Sequence, residues 1–599
     1  MNSKTSLLAN LLWALQIVWR SGKWLTVATI TLVLANGALP LLGLYLVKLV
    51  IDTVTSGLIA TDKASAFADV GFLITLLGSV FLLESILAAI TALVNTAQAQ
   101  IVTDKMHDIL HAKSVDVDLE YYETSEYYDT LHRAQQQASF RPTQIVSNLL
   151  QLVQSAVSLI AITVLLISFH WSVPAVLAGA IIPGLLVRFR FAKKLFAWHR
   201  RRTATERQAS YFDWILSRDD HAKEIRIFNL GGIFSERYRS LRSLILKERL
   251  LLTFKRSLAE LVTQCGPIVA LFALFALLAH RALDGLLTVG ALVMFFQAAH
   301  RGYSYLNQFL GSVAGLYENN LFLSNIQEFL RLKPKIIEPA RPLPIPTPIR
   351  EGISLKDVSF HYPTSDKLIL DGINLTIQAG EHIALVGHNG AGKTTLIKLL
   401  CRLYDPTAGS ITIDKIDLRH TAVADLRKQI GVVFQDYSRY HQSARDNIWF
   451  GNIELSRDDK LIERAAKLAG ADEVIGRLKN GYDTVLGKWF ENGAELSIGE
   501  WQKIALARAF LRDSQIIVLD EPTSFMDAKA EFEVFERFHR LMKGKTAILI
   551  SHRLSTVKMV DKIYVLDGGK IVESGTHDEL VDHGGKYADL FETQAQYYR

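Results

Sequence analysis

The chain has 599 residues, of which 49% are hydrophobic and 21% are charged. One hydrophobic core does not extend over so long a chain, so we expect two or more domains. The formal net charge of +6 is modest, and two cysteines are too few for a disulfide framework or a cysteine-based metal cluster.

Residues 1–24 form the first distinct segment. The stretch is amphipathic and contains Trp13, Trp19 and Trp24. Indole side chains favour the boundary between water and the bilayer core. We therefore predict that residues 1–24 form an amphipathic interfacial helix, and not a cleaved signal peptide.

Six apolar stretches follow, and each is close to the length of about 20 residues that a helix needs to cross a bilayer. Lys and Arg crowd residues 188–256, whereas the short connection 170–172 has neither. That asymmetry is typical of cytosolic and outer loops, so we expect an all-α, six-helix transmembrane domain over residues 25–332 with both ends in the cytosol. The predicted spans are 25–50, 70–97, 145–168, 172–190, 258–280 and 287–310.

The basic run has a second interpretation, a nucleic-acid surface. We disfavour it because the run lies between apolar spans and not on a separable basic module. No nucleic-acid partner is therefore expected. Polar residues inside the predicted spans either line a cavity or reach the membrane surface, so they do not identify a substrate site. They are Lys48, Glu84, Gln264, Gln297, His300 and Arg301.

The connections after the second and fourth predicted spans are long, polar and almost free of proline. We expect them to be helices that continue into the cytosol. Their aromatic turns, at residues 119–131 and 211–214, have two open interpretations. Either they contact a cytosolic domain, or they only pack against the helices of their own loop.

Alternating prolines mark residues 333–349. Because proline cannot donate to a sheet ladder, this segment is predicted to be an extended linker and a domain boundary. The prolines are Pro334, Pro339, Pro342, Pro344, Pro346 and Pro348.

The next informative feature is a glycine-rich loop at residues 387–395, with the sequence GHNGAGKTT. A predicted buried strand at 383–386 precedes it and an apolar helix at 396–403 follows it, as a phosphate-binding loop requires. In such a loop the backbone N–H groups and a lysine face phosphates, and the first threonine is placed to ligate Mg²⁺. The residues expected around the triphosphate are Gly387, Asn389, Gly390, Ala391, Gly392, Lys393, Thr394 and Thr395.

A second element of the same chemistry lies at residues 516–521. An apolar run predicts a strand that delivers Asp520 at its carboxyl end, with Glu521 next to it. Asp520 is predicted to hold Mg²⁺ and Glu521 to orient or deprotonate attacking water. Further strands are predicted at 353–360 and 547–550, so residues 350–599 are expected to form an α/β domain.

Together these features resemble the ATP-binding cassette transporter family, in particular half-transporters of the exporter type, and the resemblance covers nearly the whole chain. It implies a multidomain fold, with the six-helix transmembrane domain followed by an α/β P-loop ATPase domain. It also implies that Tyr362 stacks on adenine and that Gln435 senses Mg²⁺ and water. His552 matches the residue that contacts the γ-phosphate, and Asp527 matches the acidic residue of the dimer-contact loop.

The family signature corresponds to residues 496–500, Leu-Ser-Ile-Gly-Glu, which depart from the common Leu-Ser-Gly-Gly-Gln pattern at two positions. Ser497, Gly499 and Glu500 are expected at the nucleotide of a facing subunit. Ser497 followed by Glu500 also has the spacing of a capping box at a helix start. Both interpretations can hold together.

The resemblance implies ATP and Mg²⁺ as cofactors and a second half-transporter subunit as partner. A homodimer is favoured, and a heterodimer is the alternative. The expected function is ATP-driven export of a small amphipathic substrate, with peptide as first choice. Lipid flipping, multidrug efflux and an ATP-gated channel or regulator are the alternatives. The expected location is the bacterial cytoplasmic membrane, with the ATPase domain in the cytosol.

Overall fold

The computed structural model describes residues 7–59, 61–124, 127–128, 130–132, 134, 141–168, 171–522, 542, 544–551 and 557–598. The chain forms two compact units. The first comprises Met1–Val117 and Ser125–Lys333, and the second comprises Asp118–Thr124 and Pro334–Arg599.

The described residues of the first unit form long helices rich in Leu, Val and Ala. Proline lies inside three of them, at Pro40, Pro183 and Pro267. The helices are α1 (Leu7–Ser21), α2 (Lys23–Gly57), α3 (Lys63–Asp116), α5 (Arg141–Ile167), α6 (Ser172–Ser217), α7 (Asp219–Ile227), α8 (Gly231–Leu283) and α9 (Val289–Leu330). The intervening α4 (Leu119–Tyr122) belongs to the second unit.

Five helices among the described residues are long and apolar enough to cross a membrane. They are α2, α3, the part of α5 from Gln144 to Ile167, α6 and α8. The sixth predicted span, 287–310, lies within α9, which is not among them. Much of α9 is buried against neighbouring helices, including Met294, Ala298 and Gly302, so it is not required to be apolar towards lipid. The count of six spans stays a prediction.

The described residues of the long polar connections are mostly helical, as predicted. Helix α3 has 54 residues, α6 has 46 and α8 has 53, so each extends well beyond a bilayer-spanning length. The aromatic turn at 211–214 packs on its own helices. The ring centres of Tyr211 and Trp214 lie 6.3 Å apart in a stacked arrangement, and those of Phe212 and Phe234 lie 5.8 Å apart. Part of the other turn lies outside the described residues.

The second unit is an α/β fold with two sheets. A four-stranded antiparallel sheet has the order β2-β1-β4-β5, and a six-stranded sheet has the order β10-β9-β3-β8-β7-β6, parallel except for β10. The strands predicted at 353–360, 383–386, 516–519 and 547–550 are confirmed. The strands are β1 (Ile353–Phe360), β2 (Leu370–Ile377), β3 (His382–Val386), β4 (Ala408–Ile413), β5 (Ile416–Asp417), β6 (Ile430–Val433), β7 (Ile516–Asp520), β8 (Thr546–Ile550), β9 (Lys562–Asp567) and β10 (Lys570–Gly575).

Every residue of β3, β7 and β8 is buried, because both faces of the parallel sheet are covered. One hydrophobic core lies between the two sheets and α10, and another lies beneath α12, α13 and α15. The helices are α4 (Leu119–Tyr122), α10 (Lys393–Leu400), α11 (Val423–Lys428), α12 (Ala444–Trp449), α13 (Lys460–Ala469), α14 (Asp472–Gly476), α15 (Ile498–Leu511), α16 (His577–Asp582) and α17 (Lys586–Tyr598), with single 3₁₀ turns at Leu418–His420 and Gly481–Asp483.

The proline-spaced segment 333–349 has neither helix nor strand, and a buried arginine holds part of it. Arg402 is 1% exposed. Its guanidinium donates to the carbonyl oxygens of Ile337 at 3.0 Å and Thr421 at 2.9 Å, and to the carboxylate of Asp405 at 3.2 Å. One side chain therefore ties the linker to the body of the α/β unit.

We predict that Arg402→Met lowers the free energy of unfolding of this unit by about 3 kcal/mol, because it leaves the buried Thr421 carbonyl, the partly buried Ile337 carbonyl and the Asp405 carboxylate without their donor. Thermal unfolding of the full chain measures the change. Arg419→Met is the matched control, since the Arg419 side chain is 44% exposed and pairs locally with Asp417. Equal effects of the two substitutions would contradict the prediction.

Candidate functional site

A cavity of about 850 Å³ opens at the carboxyl ends of the parallel strands, where α/β sheets bind ligands. Strands β3, β6 and β7 end there, which explains why residues far apart in sequence meet. Ala391, Ser497, Gly499 and Glu500 are not among the lining residues. The predicted residues that do line the cavity are Tyr362, Gly387, Asn389, Gly390, Gly392, Lys393, Thr394, Thr395, Gln435, Asp520 and Glu521.

Two glycines of the loop are fixed by the space around them. Gly387 has φ +151°, and a Cβ there would lie 2.1 Å from the carbonyl oxygen of Leu566. Gly392 has φ +105°, and a Cβ there would lie 2.7 Å from the Leu370 side chain. Both positions require glycine, so the tight curvature of the loop follows directly from its sequence.

Lys393 is the first residue of α10 and its side chain is buried. The ammonium donates to the carbonyl oxygens of Gly387 at 2.6 Å and His388 at 3.1 Å. Burial lowers the pKa of Lys393, while the charges of Glu521 and Asp520 act to raise it. An ammonium has three N–H donors, so it retains one for an anionic group in the cavity.

Asp520 ends β7 and is 2% exposed. Its carboxylate accepts a hydrogen bond from the Thr394 hydroxyl at 2.9 Å. Burial raises the pKa of Asp520 and the neighbouring Glu521 adds to the rise, while the Thr394 hydrogen bond and Lys393 act against it. Two of the three residues predicted as metal ligands, Thr394 and Asp520, are therefore in direct contact.

Glu521 occupies an unusual backbone conformation, with φ +49°. Its N–H donates to the carbonyl of Ile550 at 2.9 Å, and its own carbonyl accepts from the Gln502 amide at 3.3 Å. The Gln435 amide donates to the Glu521 carboxylate at 2.8 Å. A left-handed conformation at a residue other than glycine costs about 1–3 kcal/mol and is concentrated at functional sites.

Tyr362 connects the cavity to the segment 118–124. Its hydroxyl bonds to Thr395 at 3.1 Å, and the Lys398 ammonium lies 5.3 Å from the centre of its ring. Lys398 also donates to Glu123 at 2.7 Å, and the Tyr404 hydroxyl donates to the other oxygen of Glu123 at 2.5 Å. Residues 118–124 belong to the second unit, and Glu123 links them to Lys398 and Tyr404 of the same unit.

The signature residues lie at the start of α15. Ser497 and Glu500 form a capping box, in which each side chain bonds the backbone N–H of the other. Glu500 also accepts from Arg477 at 2.8 Å. The Tyr437 hydroxyl donates to the Ile498 carbonyl at 2.8 Å, which joins this helix start to the loop that carries Gln435. The capping-box interpretation is confirmed.

Two predicted site residues, Asp527 and His552, lie outside the described residues. Conversely, Ile369, His388 and Leu590 line the cavity and were not predicted. His388 lies inside the glycine-rich motif, so its position in the sequence could have predicted that it lines the cavity. Ile369 and Leu590 are ordinary apolar residues, and nothing local in the sequence marks them as part of a site.

Comparisons with known proteins agree with this geometry. Residues 370–524 match the family model described as ABC transporter. The chain is 30% identical over 564 residues to the subtilin transport ATP-binding protein SpaT of Bacillus subtilis, covering 93% of this chain and 90% of that protein. It is 36% identical over 399 residues, 66% of each chain, to an ATP-dependent lipid A-core flippase of Alkalilimnicola ehrlichii.

A solved structure of a bacterial Atm1-family ABC exporter with ATP bound has a TM-score of 0.78 to this chain. The alignment covers 96% of this chain and 98% of that one at 24% sequence identity. This similarity concerns the fold, and it confirms a helical unit followed by an α/β unit.

We predict that Asp520→Asn stabilises the nucleotide-free chain in a pH-dependent manner. Because burial raises the pKa of Asp520, ionisation of this carboxyl opposes folding. The opposition is absent below its ordinary pKa of about 3.9 and complete above the folded-state pKa. Asn keeps an acceptor for Thr394 and carries no charge, so the melting temperature should exceed that of the wild type at pH 8.

This gain should shrink to zero as the pH falls to about 4, the ordinary range of the carboxyl. Asp513→Asn removes the same charge from a side chain that is 99% exposed, and we expect no comparable gain there. A stabilisation by Asp520→Asn that is independent of pH would refute the electrostatic explanation.

Proposed function

The chain belongs to the ABC transporter family as an ATP-driven exporter with one membrane unit and one ATPase unit, and we propose that two copies of it export an amphipathic peptide. The observation that carries the proposal is the cavity in which the phosphate loop, Asp520, Glu521 and Gln435 meet. The chain is a multi-pass membrane protein, and we place it in the bacterial cytoplasmic membrane with the ATPase unit in the cytosol.

The proposed reaction is phosphoryl transfer from ATP to water. A water oxygen bonds to the γ-phosphorus while the bond from that phosphorus to the β,γ-bridging oxygen breaks, and ADP leaves with the electron pair. Glu521 accepts the proton of the water, and Gln435 holds the Glu521 carboxylate. Lys393 offsets charge on the phosphates, and Tyr362 stacks on the base. His552 is proposed to contact the γ-phosphate.

Mg²⁺ is the metal that the family implies. The Thr394 hydroxyl, the Asp520 carboxylate and the Gln435 amide oxygen are hard oxygen donors that fit it. No group of three His, Cys, Asp or Glu gathers among the described residues, which suits Mg²⁺ because it keeps several waters. When bound, Mg²⁺ neutralises part of the triphosphate charge.

Half-transporters of this family generally act as dimers. Ser497 and Gly499 do not line the cavity of their own subunit, which supports a role at the ATP of a facing copy. Asp527 is proposed to lie at the same junction. A homodimer is favoured because one chain carries both the phosphate loop and the signature. Co-purification of differently tagged copies distinguishes it from a heterodimer.

The peptide cargo rests on the similarity to SpaT over nearly the whole chain. A lipid cargo is the second candidate, because the flippase relative is more nearly identical over a shorter alignment. Proteoliposomes that contain the purified chain distinguish the two. A peptide cargo should stimulate ATP hydrolysis and accumulate in inverted vesicles, whereas a lipid cargo should change leaflet without peptide being present.

We predict that Glu521→Gln binds ATP but loses turnover by about 10²–10⁴-fold, the usual contribution of a general base. The amide retains the size of the carboxylate and cannot take a proton. Proteoliposomes should retain nucleotide binding and lose both ATP hydrolysis and cargo accumulation. Transport at the wild-type rate in this variant would sink the proposed mechanism.

We further predict that Glu123→Gln uncouples ATP hydrolysis from transport. The amide weakens the bonds to Lys398 and Tyr404 but leaves the cavity intact, so ATP hydrolysis should stay within about threefold while transport falls about tenfold, in the usual range of coupling free energies. Glu120→Gln is the matched control, since Glu120 pairs with the 60% exposed Lys335 side chain. A parallel fall of hydrolysis and transport would count against this role.

A further inference from the structure

The carboxylate of Glu500 has three donors at the start of α15. Its Oε2 accepts from the Ser497 N–H at 2.9 Å and from the Ser497 hydroxyl at 3.0 Å. Its Oε1 accepts from the Arg477 guanidinium at 2.8 Å. The neutral glutamine common at this position in the family carries no such charge, so the ion pair is specific to a chain with glutamate here.

The charge of Glu500 creates an electrostatic problem for the proposed dimer. Ser497 is expected to approach the γ-phosphate of ATP on the facing copy, and Glu500 lies 3.0 Å from that hydroxyl. A carboxylate so close to a triphosphate is repelled, and the repulsion strengthens as closure excludes water. Without compensation, Glu500 would oppose closure of the two ATPase units.

Arg477 provides the compensation. It follows α14, and its Nε donates to the Glu473 carbonyl at 3.2 Å, which holds the guanidinium in place. Its Nη2 donates to Oε1 of Glu500, whereas Ser497 donates to Oε2. Although burial opposes ionisation, the hydrogen bonds from Ser497 and the charge of Arg477 lower the pKa of Glu500, so the partner of Arg477 is a carboxylate.

We propose that Arg477 is a positioning residue for ATP hydrolysis at the subunit junction. It neutralises and orients Glu500 so that the Ser497 hydroxyl can reach the γ-phosphate bound to the facing copy. The inference rests on the proposed function, because it requires a second copy with ATP.

If Arg477 had only a structural role, its substitution would lower the melting temperature. The Arg477 side chain is 68% exposed and that of Glu500 is 27% exposed, and such pairs contribute little to folding. We therefore expect Arg477→Ala to leave the melting temperature nearly unchanged. Its effect should be on ATP use and not on the fold.

The test is a double-mutant cycle in proteoliposomes, using the full chain as wild type, R477A, E500Q and R477A/E500Q. We expect R477A to raise the KM for ATP about tenfold, the size of a lost charge-assisted hydrogen bond, and to change kcat less. In the E500Q background the same substitution should raise KM less than about twofold, because no charge remains to be offset. R477K should recover part of the affinity.

Equal rises of KM in both backgrounds, or no rise in either, would overturn the proposal. Should R477A lower the melting temperature, R477Q takes its place in the cycle, since it keeps a polar side chain and lacks the charge. A different variant tests the proposed function, so the two proposals can be refuted independently. If Glu521→Gln retains turnover, the proposed hydrolysis mechanism is wrong; if Glu521→Gln is inactive and the cycle shows no coupling, only the role of Arg477 is wrong.

Discussion

The buried ammonium of Lys393 is the interaction on which the ATPase unit depends. A cation that is only 7% exposed requires acceptors and negative charge around it. Two loop carbonyls supply the acceptors, and Asp520 with Glu521 supplies the charge. Because these groups come from the ends of β3 and β7, with β8 between them, the register of three buried strands decides whether the charges meet. The pairing of these hydrophobic strands therefore determines which charged side chains meet in the cavity.

The two carboxylate residues around Lys393 lie in unfavourable environments. Asp520 is buried next to a second carboxylate, and Glu521 adopts a left-handed backbone. Neither feature favours folding. The sheet tolerates them because the Thr394 hydroxyl, the Ile550 carbonyl and the Gln502 amide each satisfy one of the polar groups involved. Backbone strain and crowded negative charge of this kind are concentrated at functional sites.

The elements that can be predicted from the sequence are those whose conformation is determined by their own residues. The strand at 516–520 is a continuous apolar run, and the loop at 387–395 needs only its own glycines and lysine, so both were predictable. The sixth span, predicted at 287–310 within α9, stays a prediction, because α9 is not among the five described helices that are long and apolar enough to cross a membrane. Contacts between distant parts of the chain left no local trace: Leu590 reaches the cavity from the last described helix, and Arg477 meets Glu500 across 23 positions.

Within the second unit, the contact between Glu123 and Lys398 joins residues that are 275 positions apart in the sequence. Lys398 lies between the carboxylate of the loop segment and the ring of Tyr362, which lines the nucleotide cavity. A ligand changes a conformational equilibrium only through groups that interact differently with it in the two states. A ligand that contacts the ring of Tyr362 changes the surroundings of the Lys398 ammonium, which also donates to Glu123. The cavity and residues 118–124 are therefore linked within the second unit by one ammonium that takes part in both interactions.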